Sequence, residues 1–232
     1  EIGTGWGGLA IHAARHYGCR VTTTTISENQ FSYAQRRVLE AGLADRITVL
    51  SQDYRDLQGH YDKLVSVEMI EAVGHGFMDQ YFRICSERLK PAGRMLLQSI
   101  TIADRYHEQA MHAVDFIQKY IFPGGALPSM SSISSAVARV TDLQISHLHD
   151  IGIDYARTLR IWRERFMNRL PEVRSLGYPD EFIRMWEWYL LYCEAGFLER
   201  AISTVQLVFD KPDCRLAAVS GASPTRGEHG TS

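Results

Sequence analysis

The residues best suited to chemistry stand at the start of the chain. Glu1, Gly3, Gly5, Gly7 and Gly8 fall within eight positions, EIGTGWGG, and run straight into a helical pattern. A glycine turn feeding a helix N-terminus lets backbone amides approach a ligand closely, because no Cβ stands in the way. The spacing is not the dinucleotide fingerprint, and no Gly-Lys-Ser/Thr follows to make a phosphate loop. An acidic residue ahead of the glycines and a polar stretch after residues 20–25 suit a ligand made of adenosine and an amino acid. A tight turn in an α/β protein with no ligand is the plain alternative. His147 and His149 alternate and share a strand face, but no third ligand can be named, so no metal site is expected.

Such residues need elements to hold them. A helix is expected over residues 7–17 and a β-branched strand over 20–25. Ser27-Glu-Asn-Gln30 reads as a capping box opening a helix to about residue 41. Short strands follow at 46–50 and 63–67. Met78, Tyr81, Phe82, Cys85 and Leu89 recur at helical spacing, Pro91-Ala-Gly93 is expected to stop that helix, and 94–100 reads as an apolar strand. Strand–helix alternation predicts parallel βαβ units. Residues 102–130 have little strand character and carry YIFPGG at 120–125. A helix at 131–139 and a strand at 143–149 follow. Tyr155, Leu159, Trp162, Phe166 and Leu170 mark one amphipathic helix, Phe182, Met185, Tyr189 and Tyr192 another, and 205–209 is a last strand. The expected organisation is one α/β unit over 1–212, with a lid insertion at about 101–140 and a frayed tail over 213–232. The glycine motif normally ends a buried first strand, so the chain is expected to be N-terminally truncated.

Composition narrows the function classes. With 232 residues and 45% hydrophobic content, one sizeable core is expected. A net charge of -2 with no basic run argues against a general nucleic-acid binder. Cys19, Cys85, Cys193 and Cys214 show no pairing or metal spacing and read as thiols in a reducing compartment. No run is long enough to span a bilayer. Membrane contact is therefore expected to be peripheral, at the inner face, for a cytoplasmic protein.

Taken in order, EIGTGWGG, TTTTISENQ (22–30), QDYRDL (52–57), SVEMIEAVG (66–74), LKPAGRMLLQSI (89–100), YIFPGG and MWEWYLLYCEAGF (185–197) resemble the cyclopropane-fatty-acyl-phospholipid synthases and mycolic acid cyclopropane synthases. The resemblance runs from residue 1 to about residue 211. It implies a bacterial, Rossmann-like class I methyltransferase sheet with a helical insertion. It also implies S-adenosylmethionine as cofactor and the cis double bond of an unsaturated phospholipid acyl chain as substrate. In that chemistry the alkene attacks the sulfonium methyl, a carbocation results, and loss of a proton from the new methyl closes the ring. The family uses bicarbonate as base.

On this resemblance Gly3, Gly5 and Gly7 line the cofactor, Thr25, Ser27 and Gln30 reach its ribose and amino-acid region, and Gln52 and Asp53 reach the adenine. Ser27 as a simple helix cap and Asp53 as a solvated loop carboxylate are the plain alternatives. Glu71, Tyr189 and the amide of Ile100 match the bicarbonate site. Glu71 can also be read as a helix-start carboxylate, and Tyr189 as a core aromatic. Two departures stand out: Gln98 replaces the family's histidine, and Ala72 stands where histidine often follows the glutamate. A glutamine donates a hydrogen bond but carries no charge and shuttles no proton. The family's catalytic cysteine lies upstream of the glycine motif, so none of the four cysteines inherits its role. Tyr155, and Tyr120 to Phe122, are candidate acyl-chain lining. Arg157, Arg160, Arg163 and Arg165 spread over more than one helix face and read as solvated surface. The alternatives kept open are a C-methyltransferase giving a methyl-branched product, a non-catalytic cofactor-binding remnant, and homodimerisation.

Overall fold

In the computed structural model, residues 1–216 are described. Most of the expected tail, 217–232, lies outside them. The chain forms one twisted sheet in which a single residue joins two blocks. In the first block β1 (Val21–Thr25) and β2 (Ile47–Ser51) pair in parallel. The second block contains β3 (Tyr61–Val67), β4 (Leu89–Ile102), β5 (Gln144–Asp150) and β6 (Ile202–Asp210), in the order β3-β4-β6-β5. Ile2 makes parallel bridges to Thr24 on one side and Ser66 on the other. Its N–H donates to the Val65 carbonyl at 2.9 Å, and its side chain is only 2% exposed. The place of a central strand is thus held by Ile2.

Alternation in the first half predicted parallel units, and β1–β2 and β3–β4 pair in parallel. In the second half β6 runs antiparallel to both β4 and β5 and lies between them. Hydrophobic periodicity reports which face of a strand is buried, not its direction after a long helical excursion. A correction concerns Pro91-Ala-Gly93. The strand already begins at Leu89, which pairs with Tyr61, and Lys63 next pairs with Arg94. The predicted stop is therefore an irregularity inside β4, where the extra residues bulge out.

α1 (Gly8–Tyr17) and α2 (Glu28–Glu40) pack on β1 and β2 around Ala10, Ile11, Ala14, Val38 and Ile47. α3 (Met78–Glu87) covers another part of the sheet with α6 (Met130–Val140), burying Tyr81, Phe82, Cys85, Ile133 and Val137 against Met95, Leu97, Leu207 and Phe209. Along β4 the buried positions Met95, Leu97, Ser99 and Thr101 alternate with half-buried Leu96, Gln98, Ile100 and Ile102. The second set faces the opposite way.

Helical material enters in two places. α4 (Asp104–Met111), α5 (Phe116–Tyr120) and α6 lie between β4 and β5. α7 (Gly152–Met167), α8 (Leu170–Ser175) and α9 (Asp180–Leu198) lie between β5 and β6, and Ala156, Leu159, Leu190 and Phe197 of α7 and α9 pack with Ile100 and Ile202. Leu170, expected on the same helix as Tyr155, belongs instead to α8, because α7 ends at Met167 and Pro171 starts a new helix. Half of the expected capping box also fails. Ser27 Oγ accepts from the Gln30 amide, but the Ser27 N–H donates to Thr25 Oγ1 at 3.1 Å, not to Gln30. Complete boxes occur at Asp115/Gln118 and Ser129/Ser132.

Candidate active site

The glycine turn sits where β1, β3 and Ile2 meet, at the carboxyl ends of the strands. Gly3, Gly5 and Gly7 all have positive φ, at 96°, 51° and 79°. Their surroundings separate their roles. A Cβ on Gly7 would lie 3.1 Å from Ala34 Cβ, so this glycine lets α1 seat closely on α2. A Cβ on Gly3 would meet Met69 at 3.3 Å. Only Gly5 opens onto space with nothing within 4 Å, which is the position a ligand needs. Beneath the turn Glu1 Oε2 accepts from Thr23 Oγ1 at 2.6 Å, and Thr23 bonds Thr4 at 2.8 Å.

The strand ends beside the turn carry the other expected cofactor residues. Thr25 Oγ1 donates to Gln30 Oε1 at 2.9 Å, which fixes the Gln30 carboxamide at the start of α2. The Gln52 carbonyl accepts from Thr24 Oγ1, tying β2 to β1. Asp53 caps the short turn Tyr54–Asp56 through the Arg55 amide, and the Arg55 guanidinium grips it at 2.9 and 2.7 Å. That grip holds its carboxyl below the ordinary range. A ligand amine at Asp53 would share the carboxylate with Arg55.

The acidic centre is assembled by β4. Glu71 follows β3 in a single helical turn, Ile70–Ala72, and its Oε1 accepts from the Ile100 amide at 2.6 Å and from Ser99 Oγ at 3.1 Å. Its Oε2 is buried with no hydrogen-bond partner. Burial pushes this carboxyl from its ordinary 4.5 up to about 7. Gln98 serves a second carboxylate that the sequence reading passed over. Its Nε2 donates to Glu68 Oε1 at 2.7 Å, and its own Oε1 accepts from Gln206 at 2.9 Å, its cross-strand partner on β6. Tyr155 donates to Glu68 Oε2 at 2.8 Å, its ring stacked on Phe197 at 4.8 Å. Glu68 holds φ at +49°, where a side chain is strained. Two acids three residues apart in an otherwise apolar motif just past a strand were the available signal. Gln206 carried none, because only strand pairing brings it to Gln98.

Tyr189 stands on α9 with its ring 6.3 Å from Phe122 and 5.0 Å from Trp186. Burial raises its hydroxyl to about 12, with Cys193 and the Glu68 charge adding to the effect. Tyr189 packs in the cluster that also holds Ile100 and Tyr155, with Phe122 against its ring. An outer cluster continues from it, with Phe116 ringed by Tyr120, Trp188 and Tyr192 at 5.6–6.5 Å. The arginines of α7 are largely paired within the protein: Arg160 bonds Glu194 at 2.7 Å and Arg157 bonds Asp154 at 3.0 Å. Cys85 and Cys193 are raised to about 12 by burial, which leaves them as thiols. Among the described residues no group of His, Cys, Asp and Glu is arranged to hold a metal ion.

A mixed sheet with one reversed strand, flanked by helices and opened by a glycine turn, defines the class I S-adenosylmethionine-dependent methyltransferase fold. Solved structures of that class superpose closely, including the mycolic acid cyclopropane synthase CmaA1 complexed with SAH and CTAB, with a TM-score of 0.82 at 26% identity over 90% of this chain and 76% of that one. The family model described as mycolic acid cyclopropane synthetase matches residues 1–207, and the chain belongs to that family. Tuberculostearic acid methyltransferase UfaA1 of Mycobacterium tuberculosis is 45% identical over 85% of this chain and 46% of its own length. The cyclopropane-fatty-acyl-phospholipid synthase of Escherichia coli is 40% identical over 91% and 52%. The chain therefore spans about half the length of these curated relatives.

Proposed function

We propose that this chain transfers a one-carbon unit from S-adenosylmethionine to the cis double bond of an unsaturated phospholipid acyl chain. The observation that carries this reading is Glu71: a carboxyl raised to about 7 by burial, pinned at one oxygen and unpartnered at the other. Bound at the turn, the cofactor supplies an electrophilic methyl group. Gly5 gives it room, and Gln30 and Asp53 offer polar contacts to its amino-acid and adenosine parts. Tyr155 and Tyr189 wall the acyl chain and exclude water, which would otherwise capture a carbocation. Glu71 Oε2 then takes the proton from the newly attached carbon, a step for which a base near pKa 7 is well matched.

Bicarbonate fits these residues poorly. Of the donors expected for it, the Ile100 amide is taken by Glu71 and the Gln98 amide by Glu68. The base in this reading is Glu71 itself. If depleting bicarbonate abolishes turnover and adding it back restores the rate, the base is the anion and this assignment is wrong.

A second product is favoured by a specific observation. On the family resemblance Gln98 stands where cyclopropane synthases carry histidine, and the 45% identical relative is named a tuberculostearic acid methyltransferase, not a cyclopropane synthase. Either route adds one carbon. Incubating the chain with methyl-labelled S-adenosylmethionine and oleoyl-phospholipid vesicles, then hydrogenating the product for mass spectrometry, distinguishes a ring from a retained double bond. Cofactor binding by calorimetry with no label in any lipid would overturn the enzymatic reading in favour of a binding module. Exposed Tyr120, Phe122 and Trp188 support contact with a bilayer surface through α5 and α9.

A further inference from the structure

We infer that Glu68 is the counter-charge of the site: its carboxylate, held by Gln98 and Tyr155, stabilises the positive charge that passes through the methyl transfer. This rests on the proposed function above. The position comes first. Glu68 directly follows β3 close to the glycine turn, because its neighbour Met69 lies against Gly3, and it stands three residues before Glu71. The segment that carries it thus runs from the glycine turn to the proposed proton acceptor.

The pattern of bonds is the second argument. Glu68 accepts at both oxygens, from Gln98 at 2.7 Å and Tyr155 at 2.8 Å. Both donors are neutral. Among the described residues no arginine, lysine or histidine forms an ion pair with Glu68, whereas Glu194, the fully buried acid of α9, is paired with Arg160. A partly buried carboxylate held only by neutral donors keeps its field for a cation that arrives with the ligands. That field reaches the neighbours: the Glu68 charge pushes the pKa of Glu71, Tyr155 and Tyr189 upward and so opposes their ionisation, on three separate elements.

The third argument is the cost of the arrangement. Glu68 holds a left-handed backbone conformation that glycine would adopt without strain, and Gln206 of β6 exists in this network only to orient Gln98. Strain kept at a site, with a neutral two-residue relay behind it, marks a placed charge. Gln98, with no charge of its own, serves here as a positioning residue for Glu68.

The test uses the charge difference between S-adenosylmethionine, a sulfonium cation, and S-adenosylhomocysteine, which is neutral. In Glu68→Gln the affinity for the cation should fall about tenfold while that for the neutral product changes less than about twofold, and turnover should fall about a hundredfold. Tyr155→Phe removes one bond but keeps the charge, so its affinity ratio should match the wild type. Equal weakening of both ligands, or of neither, in Glu68→Gln overturns the inference. Should that variant not fold, wild-type chain is titrated with decyltrimethylammonium and with decanol below their micelle concentrations. Preference for the cation supports the charge, and equal affinity overturns it. Wild-type chain that neither binds the cofactor nor labels lipid would instead sink the functional reading itself, a result distinct from an unchanged ratio in an active enzyme.

Discussion

Glu71 combines a fixed oxygen with a buried, unpartnered one, and its two protonation states answer different questions. As a base it must be ionised, so turnover should rise with pH through about 7 and level above it. Glu71→Gln should lower turnover by about 10²–10⁴-fold, read from initial rates of label transfer. The same group sets a stability trend. Its pKa is higher in the folded chain than in the unfolded one, so the native state holds the proton more firmly. Stability is therefore fullest below about 4.5 and declines as pH rises through about 7, by at most about 3 kcal/mol. Melting curves at pH 5 and pH 8 should show a smaller drop for Glu71→Gln than for the wild type. An equal drop would mean that Glu71 is not the titrating group.

Elements decide which of several similar residues can act. The glycine turn contains glycines of unlike duty, and substitution should separate them. Gly7→Ala forces a Cβ onto Ala34 at 3.1 Å with φ at 79°, so it should cost more than the roughly 1–2 kcal/mol of the left-handed conformation alone. Gly5→Ala meets no neighbour and should cost only that conformational amount, while cofactor affinity falls. Thermal unfolding beside calorimetry tests the contrast, and equal melting losses would refute it. β4 acts in the same selective way. Its alternation sends Met95 and Leu97 into the core and turns Gln98 to the site, while the Ile100 main chain holds Glu71. Gln98→Leu leaves Glu68 with Tyr155 alone and should cut turnover while changing thermal stability little. A lost fold would instead assign Gln98 to the core.

At the scale of the molecule, two blocks of sheet are joined through the backbone of residues 1–3, with Ile2 bridging both. The Ile2 amide binds the Val65 carbonyl, and the Glu1 carbonyl takes the Thr24 amide at 3.2 Å. Ile2→Ala removes a buried side chain at that junction and should cost about 2–5 kcal/mol. Amide exchange at Thr24 should quicken well before exchange within β6, and uniform loss of protection would contradict a local junction. No helix among the described residues is long and apolar enough to cross a membrane. In the proposed reading the lipid comes to the exposed aromatics of α5 and α9 from the bilayer surface.

Much of this was legible in the residues themselves. The glycine turn, the strand at Val21–Thr25 and the helices carrying Tyr155 and Tyr189 all follow from local spacing and motif order, because helix and strand periods and positive-φ glycines are properties of short segments. What local spacing cannot carry is which distant residues meet. Glu68 becomes a site residue only because β4 lays Gln98 beside it and α7 brings Tyr155 to its other oxygen. Gln98 looked like a weakened anion ligand until β6, reversed between β4 and β5, set Gln206 opposite it. The identity of the glycine turn was written in the sequence. The setting of Glu68 was decided by strand order and direction, since these determine which polar side chains share a face and satisfy one another.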